Sequence, residues 1–200
     1  MNISKTLFVF SLLLLSFFLN ACSGLTTSDQ PANSTWWLKP YAGAMQANPH
    51  EAPRMIAVSV TVVPGLDTNR ILTLSDDAEL NRYASARWAD NLPELVKSLL
   101  GRTLESSGRF EVASDRIKSG SDGCDLQLEV REFFAELDGD GKTSGVRVAI
   151  DGRYQCGSVE PVPLQLSASV PVHDERMSVI VAAFQNAVDS VMVELLENLS

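Results

Sequence analysis

The stretch CDLQLEVREFFAELDGDGKTSGVRVAIDGRYQC, residues 124–156, decides the fold because it contains two alternating segments around a cluster of turn-forming residues. Apolar residues occupy every second position in the first segment, Cys124–Val130, and nearly every second position in the later segment, Val146–Cys156. A period of two residues is typical of a strand with one buried face. Asp-Gly sequence between two such strands is typical of a hairpin turn. The pattern therefore predicts a β-hairpin of strands 124–137 and 145–156.

A hairpin that turns about Asp140 fixes which residues of the two strands face each other. Cys124 then lies opposite Cys156 and Leu126 lies opposite Tyr154, so that the apolar residues of both strands share one face. Directly opposite residues of an antiparallel pair are within reach of a disulfide bond. We therefore expect a cross-strand disulfide between Cys124 and Cys156, and the alternative is two free buried cysteines.

Residues that could carry chemistry are few and dispersed. The two histidines, His50 and His173, lie far apart in the chain, and GxSxG, CxxC, HExxH, P-loop and GxGxxG motifs are absent from the sequence. Asp138 and Asp140 lack the further spaced ligands of a helix-loop-helix calcium site and are better explained by the hairpin turn. We expect no catalytic residue, no metal site and no cofactor.

The remaining segments predict further strands and two helices. Leucine and valine recur at helical spacing over residues 92–104, with Pro93 near the start and Gly108 just after the end. A second helix is expected over residues 175–199, with Asp174 as its N-cap. Apolar and β-branched runs predict strands at 36–38, 55–63, 70–74, 110–113 and 163–172. The fold class is therefore α+β: a two-layer sandwich with one mixed, mostly antiparallel sheet and both helices packed on one face.

The amino terminus has the pattern of a bacterial lipoprotein signal. Lys5 supplies the positive region, residues 7–19 form an apolar stretch, and Ala21 precedes Cys22. The stretch is shorter than the ~20 apolar residues that a permanent membrane-spanning helix needs. We expect removal of residues 1–21 and lipidation of Cys22, which anchors the mature protein outside the cytoplasm. The alternative is an ordinary secretory signal with an incidental cysteine.

The mature chain divides into a tether and one domain. Residues 22–35 carry the lipidated cysteine and then small polar residues, which is typical of a flexible tether. Residues 36–200 suffice for a single domain with its own core. Ser23 follows the cysteine in place of an Asp that would indicate inner-membrane retention, so the outer membrane is expected. Loss of Lys5 changes the formal charge from −9 to −10, which disfavours nucleic acid as a partner.

The order of these segments resembles the ABC-type transport auxiliary lipoprotein family, which includes the paraquat-inducible protein C group. An aromatic start at 36–38 follows the tether, and a β-rich segment runs into Pro-Gly-Leu-Asp at 64–67. The most specific stretch is RWADNLP at 87–93, which leads into an amphipathic helix. The run VIVAAF at 179–184 is similar to the family's last helix. The resemblance covers nearly all of residues 36–200.

The resemblance implies a function that composition and periodicity do not. Members of the family are envelope components that work with MCE-domain transport proteins and their inner-membrane permeases, which move lipids between membranes. The chain would then be a non-enzymatic docking component at the inner leaflet of the outer membrane, facing the periplasm of a Gram-negative bacterium. The other readings are an assembly lipoprotein for outer-membrane barrels or lipopolysaccharide, and a periplasmic lipid carrier with a pocket between sheet and helices. A homo-oligomer, such as a ring matched to a multimeric partner, is allowed by symmetry.

Four residues are candidates for contact with a protein partner. Trp36 and Trp37 are aromatic, as many interface anchors are, although as residues of a first strand they need no such role. Arg87 and Trp88 belong to the RWADNLP stretch. We expect Trp88 to pack beneath the helix that follows it and Arg87 to be free to pair with a carboxylate.

Overall fold

The computed structural model describes residues 33–43, 52–113 and 123–199, which fall within one compact unit, Asn33–Ser200. The predicted signal peptide and Cys22 lie outside the described residues, as do most of the tether and His50. The described elements are β1 (Ser34–Trp36), β2 (Arg54–Val62), β3 (Arg70–Leu74), β4 (Leu80–Trp88), α1 (Leu92–Ser106), β5 (Phe110–Ala113), β6 (Cys124–Leu137), β7 (Thr143–Cys156), β8 (Val162–Pro171) and α2 (Met177–Asn198).

The hairpin of β6 and β7 forms with the register that its sequence predicts. Cys124 pairs with Cys156 and Leu126 pairs with Tyr154. The two cysteines are joined by a disulfide across the strands, so the predicted pairing is confirmed. Cys124 is fully buried. The hairpin turn is closed by Asp138, whose side chain accepts the N–H groups of two later turn residues.

A β-bulge at Arg131 interrupts the predicted alternation of β6. The register shifts between Val130 and Glu132, and from there Phe133 pairs with Val148. An extra residue in one strand exchanges the two faces of the residues that follow it. Phe133, at an odd-numbered position, therefore enters the core, where it is 2% exposed. Sequence periodicity alone assigned the core face of β6 to even-numbered residues.

The other edge of β6 pairs with two strands that lie end to end. β2 runs parallel to the first half of β6, and β3 runs parallel to its second half, where Thr73 pairs with Ala135. The chain between β2 and β3 leaves the sheet through Pro64 and Gly65. Gly65 has a φ of +97°, a conformation that residues with a side chain rarely adopt. A single strand of 14 residues, β6, thus serves as the common partner of β2 and β3.

The sheet contains one long strand that the sequence did not predict, and its first strand is shifted. β4 pairs antiparallel with β3 and parallel with β1, and most of its residues from Leu80 to Ser85 are exposed. β1 ends at Trp36, whereas the sequence suggested a strand at 36–38. Antiparallel pairs hold most of the paired residues because β6–β7 and β7–β8 are long. The expected class, one mixed sheet with two helices, is confirmed for the described residues.

Both predicted helices are present, and the start of the second one differs from expectation. α2 begins at Met177, and Arg176 holds the N-cap position without a side-chain cap. Asp174 is therefore not the N-cap. Its carboxylate instead accepts the N–H of Arg176 at 2.8 Å and turns the chain before the helix starts. α1 ends before Gly108, whose φ is +67°, as the sequence indicated.

The helices cover one face of the sheet and complete the core. α1 packs on β2 and β5, α2 packs on β7 and β8, and the two helices touch each other. α2 has 22 residues and contains an 18-residue window with a mean hydropathy of 1.6, so it is apolar enough to cross a membrane by length and composition. Its apolar side chains nevertheless pack against the sheet, and Ile180, Phe184 and Ala187 are fully buried. α2 is thus a core helix of the domain.

Candidate functional site

The four residues proposed as partner contacts come together where β1 meets β4. Trp36 pairs with Trp88 and Thr35 pairs with Arg87 in a parallel register. The Nε–H of Arg87 donates to the Oγ1 of Thr35 at 3.2 Å. Arg87 is exposed, and its hydrogen bond thus goes to a hydroxyl group where sequence reasoning expected a carboxylate. Two segments about fifty residues apart in sequence therefore build one edge of the sheet.

Trp88 belongs to the core. It is 1% exposed, and its ring meets those of Phe133 and Phe184 edge to face, with centroids 5.8 and 5.1 Å apart. Phe184 lies in α2, so the second helix packs against the Trp88 ring. Edge-to-face aromatic pairs contribute about 0.5–1.5 kcal/mol beyond area burial. Trp88 thus holds β4 to the core and offers a partner no surface.

The two tryptophans at the end of β1 have different environments. Trp36 is partly buried against the core, and its indole Nε1 is shielded from solvent without a hydrogen-bond partner among the described residues. Trp37 is 57% exposed, and it is the one aromatic residue among the exposed large hydrophobic side chains of the described part of the chain. Of the four candidates, Trp37 and Arg87 are therefore the residues that a partner can reach.

Trp37 is presented by a fixed segment, which we call the amino-terminal strap (residues 37–41). Leu38 in its middle is fully buried. The backbone of Lys39 is bonded at both its N–H and its C=O to the side chain of Gln185 in α2. Two hydrogen bonds then join Tyr41 to α1. The N–H of Tyr41 donates to the hydroxyl of Thr103, and the hydroxyl of Ser106 donates to the C=O of Tyr41.

Sequence reasoning did not anticipate the strap, yet two signals for it are present. Thr103 is a polar residue at a helical position that is otherwise occupied by leucines, and it is 1% exposed. Gln185 interrupts a long apolar helix. Buried or part-buried polar side chains on an apolar helix require hydrogen-bond partners. Here both of them bind the backbone of the strap, which fixes the position of Trp37 relative to the two helices.

A second polar cluster lies at the far end of the hairpin and is structural. The side chain of Glu175 accepts the backbone N–H of Thr143 at 2.7 Å, and the Thr143 hydroxyl bonds the Tyr83 hydroxyl at 2.7 Å. Burial raises the pKa of the Tyr83 phenol, with a further rise from the charge of Glu175, while the bond to Thr143 opposes these effects. The cluster joins β4, β7 and the start of α2.

The open face of the sheet is charged and solvent-exposed. Arg131 bonds Glu129 and lies 3.5 Å from Asp151, and Arg147 bonds Glu136 at 2.7 Å. The side chains of these pairs are 28–50% exposed, so each pair contributes little to stability. Within the described ranges, groups of three or more His, Cys, Asp or Glu side chains that could hold a metal ion are absent.

The surface depressions of the described part of the chain include the following two. One of about 450 Å³ is lined by the outward face of α1, including Lys97, Gly101 and Arg102. The other, of about 370 Å³, lies beside the hairpin turn and includes His173 and Asp174. Neither depression is enclosed between the sheet and the helices, where rings such as those of Phe133 and Phe184 stack with centroids 5.1 Å apart.

The chain is similar to one known protein family and to solved structures. A model of the family described as the ABC-type transport auxiliary lipoprotein component matches residues 37–195. The crystal structure of protein XCC0632 from Xanthomonas campestris is similar, with a TM-score of 0.69, 19% identity, and coverage of 82% of this chain and 92% of that one. A crystal structure of an uncharacterized protein has a TM-score of 0.67 at 16% identity, covering 85% of this chain and 100% of the other. No curated protein sequence matches.

The structural similarities, at these identities, establish the fold, which is that of an α+β sandwich with a single mixed sheet. The family match spans most of the chain, from Trp37 in the strap to Leu195 in the last turn of α2. The chain therefore belongs to the ABC-type transport auxiliary lipoprotein component family, and it is an auxiliary component of a transport system of the cell envelope.

Proposed function

We propose that this chain is a lipid-anchored, non-catalytic docking component that joins the outer membrane to an MCE-domain transport protein and its inner-membrane permease. The observation that carries the proposal is the family match over residues 37–195. The lipoprotein signal ending at Cys22 adds the anchor, and Ser23 directs that anchor to the outer membrane. The protein then faces the periplasm and acts by positioning its partner.

Trp37, which directly follows β1, is the proposed centre of the docking surface. Arg87 belongs to the same surface and lies in β4, the strand that pairs with β1. A tryptophan that is 57% exposed leaves much apolar area in contact with water, and burial of that area stabilises a complex by roughly 25 cal/mol per Å². The strap holds the residue in place through Leu38 and the Lys39–Gln185 hydrogen bonds. Binding through a fixed aromatic residue costs little conformational entropy.

The proposed docking residue follows the predicted anchor closely in sequence, since Trp37 lies 15 positions after Cys22. The short tether that the sequence predicts between them would hold a partner bound at Trp37 near the inner leaflet of the outer membrane. Such an arrangement suits a component that fixes the end of a transport assembly against the membrane.

The packing of the core argues against a lipid carrier. A carrier needs an apolar cavity of at least about 300 Å³ between the sheet and the helices. Trp88, Phe133 and Phe184 fill the middle of that layer with mutual ring contacts. Both depressions described above are open to solvent and lined largely by polar or charged residues.

The proposal is tested by in-cell crosslinking of the full lipidated protein, capture through a carboxyl-terminal tag, and mass spectrometry. We expect an MCE-domain protein in the captured material, a reduced amount of it with Trp37→Ala, and an unchanged amount with Val159→Ala. Val159 is a matched control because it is exposed and apolar but follows β7, away from β1. Recovery of barrel-assembly or lipopolysaccharide-transport proteins, with no MCE-domain protein, would refute the proposed function.

A further inference from the structure

Two arginines face each other on neighbouring strands, close to the sheet edge that carries Trp37. Arg70 of β3 pairs with Arg87 of β4. The N–H of Trp88 donates to the C=O of Asn69 at 2.7 Å, so the two arginines form a non-hydrogen-bonded pair. In such pairs the opposite side chains lie closest together. We call Arg70 and Arg87 the arginine pair.

The burial of the neighbouring residues shows which face of the sheet the arginine pair occupies. Ile71, Ala86 and Trp88 are 0–2% exposed and belong to the core beneath the helices. Because successive side chains of a strand point to opposite faces, the side chains of Arg70 and Arg87 lie on the open face of the sheet. Arg87 is exposed there, and Arg70 is partly buried.

Trp37 is directed to the same face. Trp36 packs against the core and Leu38 is fully buried, so the residue between them points away from the core. Thr35, two positions before Trp37, pairs with Arg87 and accepts its Nε–H. Two positions along an extended chain span about 7 Å. The arginine pair and Trp37 therefore form one surface at the edge of the open face.

The arginine pair has no negative partner within the described ranges. The arginines that form ion pairs there are Arg131, Arg147 and Arg176, and Arg82, an exposed residue of β4, has no ion pair either. Like charges directly opposite each other destabilise an antiparallel pair of strands. A chain with 25 acidic and 16 basic residues nevertheless leaves these two cations facing each other. Negative charge from another molecule would offset their repulsion.

We propose that the surface formed by Trp37 and the arginine pair binds an acidic segment of the MCE-domain partner. Carboxylates of that segment bridge Arg70 and Arg87, and an apolar residue beside them packs on Trp37. The guanidinium group binds carboxylates through two parallel hydrogen bonds, and tryptophan and arginine are enriched among the residues that dominate binding at protein interfaces. This inference deepens the proposed function and rests on it for the identity of the partner.

A protein segment suits this surface better than the headgroups of an anionic membrane. The rest of the open face carries carboxylates that are at least 28% exposed, those of Glu129, Glu132, Glu136 and Asp151. A broad anionic membrane surface would bring these carboxylates close to charges of the same sign. An acidic segment of a few residues can contact the arginine pair and Trp37 without approaching them.

Photocrosslinking in intact cells tests the proposal on the full lipidated protein. A photoreactive phenylalanine derivative replaces Thr35, beside Arg87, and mass spectrometry identifies both the crosslinked protein and the crosslinked peptide. We expect an MCE-domain protein, joined through a peptide rich in Asp and Glu. Arg70→Glu/Arg87→Glu should reduce this adduct at least about tenfold. Arg102→Glu is the matched control and should leave it unchanged, because Arg102 is an exposed arginine of α1, on the other side of the sheet.

A milder variant separates binding from folding. Arg70→Gln removes one of the two facing charges, and the Arg70 side chain has no hydrogen bond or ion pair within the described ranges that would be lost with it. The melting temperature should therefore stay unchanged or rise slightly, while the adduct from position 35 falls several-fold. A lower melting temperature together with loss of the adduct would assign the arginine pair to the stability of the fold and overturn the proposal.

The remaining outcomes distinguish this inference from the proposed function. An MCE-domain adduct through a neutral or basic peptide, or one that survives the charge reversal, would overturn the inference and leave the proposed function standing. Adducts of position 35 with phospholipid alone would also overturn it and would assign the surface to the membrane. An adduct through an acidic peptide of a barrel-assembly or lipopolysaccharide-transport protein would support the acidic ligand and refute the proposed function.

Discussion

The side chain of Gln185 binds both polar atoms of the Lys39 backbone: its Oε1 accepts the N–H at 2.7 Å, and its Nε2 donates to the C=O at 2.9 Å. The amide of a helix residue here takes the place of a neighbouring strand. This contact links α2 to the strap, and the strap carries Trp37. The position of the proposed docking residue therefore depends on a residue about 150 positions later in the chain.

Replacement of Gln185 by Ala should release the strap while leaving the fold intact. Each of the two hydrogen bonds contributes about 0.5–1.5 kcal/mol, so we expect a loss of about 1–3 kcal/mol in urea unfolding and faster hydrogen exchange at the Lys39 amide. Asn186→Ala, at the next and exposed position, is the control and should change neither quantity. Unchanged exchange at Lys39 in Gln185→Ala would show that Leu38 and the contacts of Tyr41 with α1 hold the strap without Gln185.

The two tryptophans should differ sharply when each is replaced by Ala. Trp88→Ala removes a ring that is 1% exposed and leaves a cavity beside Phe133 and Phe184, so we expect a loss of about 3–5 kcal/mol. Trp37→Ala removes a largely exposed ring and should change stability by less than about 0.5 kcal/mol. Urea unfolding of both variants measures the contrast. A Trp88→Ala variant with wild-type stability and lost partner binding would contradict the assignment of Trp88 to the core.

Loss of the disulfide should weaken the sheet at the start of the hairpin. Cys124 and Cys156 close a loop with a sequence separation of 32, for which the chain-entropy model gives about 3–4 kcal/mol. The double variant Cys124→Ser/Cys156→Ser should lose stability of that order in chemical unfolding. Intact mass under non-reducing conditions gives an independent check, because the oxidised protein is lighter by two hydrogen atoms. A protein that carries both free thiols would refute the bridge.

Alkaline pH should destabilise the fold through Tyr83. Burial raises the pKa of its phenol above the ordinary value of 10.0, so the folded state favours the neutral form. A group whose folded pKa is raised contributes stability that is complete below the unfolded pKa and is lost as pH rises through the folded pKa. The melting temperature should therefore fall above about pH 10.

Phenylalanine variants separate the tyrosines in that alkaline range. Burial also raises the pKa of Tyr154, so Tyr83→Phe should flatten part of the decline and Tyr83→Phe/Tyr154→Phe should flatten more of it. Tyr83→Phe additionally removes the bond to Thr143 and should lower stability at neutral pH. An alkaline decline of the same size in the double variant would show that other groups cause it.

The hairpin was predictable because its information is local. Alternation in both strands, the Asp-Gly turn and the two cysteines all specify one register, and the structure has that register from Cys124 to Val130. The bulge at Arg131 was not predictable, because the charged and aromatic run that contains it can follow either face. Its position depends on the aromatic packing of Phe133 with residues from β4 and α2.

Two features of the candidate site, β4 and the strap, were not predicted because they depend on contacts between residues far apart in the sequence. β4 lacks a clear apolar alternation because most of its residues from Leu80 to Ser85 remain exposed, and only its end at Trp88 enters the core. The strap has no regular secondary structure at all, and its order comes from hydrogen bonds to Thr103 and Gln185. The secondary-structure propensities of the strap residues give no information about such hydrogen bonds to distant residues.

The most direct test of the docking account is site-specific photocrosslinking from the strap. A photoreactive phenylalanine derivative replaces Trp37 in the lipidated protein, and a second variant carries it at Val159 as the control. On irradiation of intact cells, the account predicts an adduct between position 37 and an MCE-domain protein, and no such adduct from position 159. An adduct of position 37 with a barrel-assembly or lipopolysaccharide-transport protein, or equal MCE adducts from both positions, would contradict it.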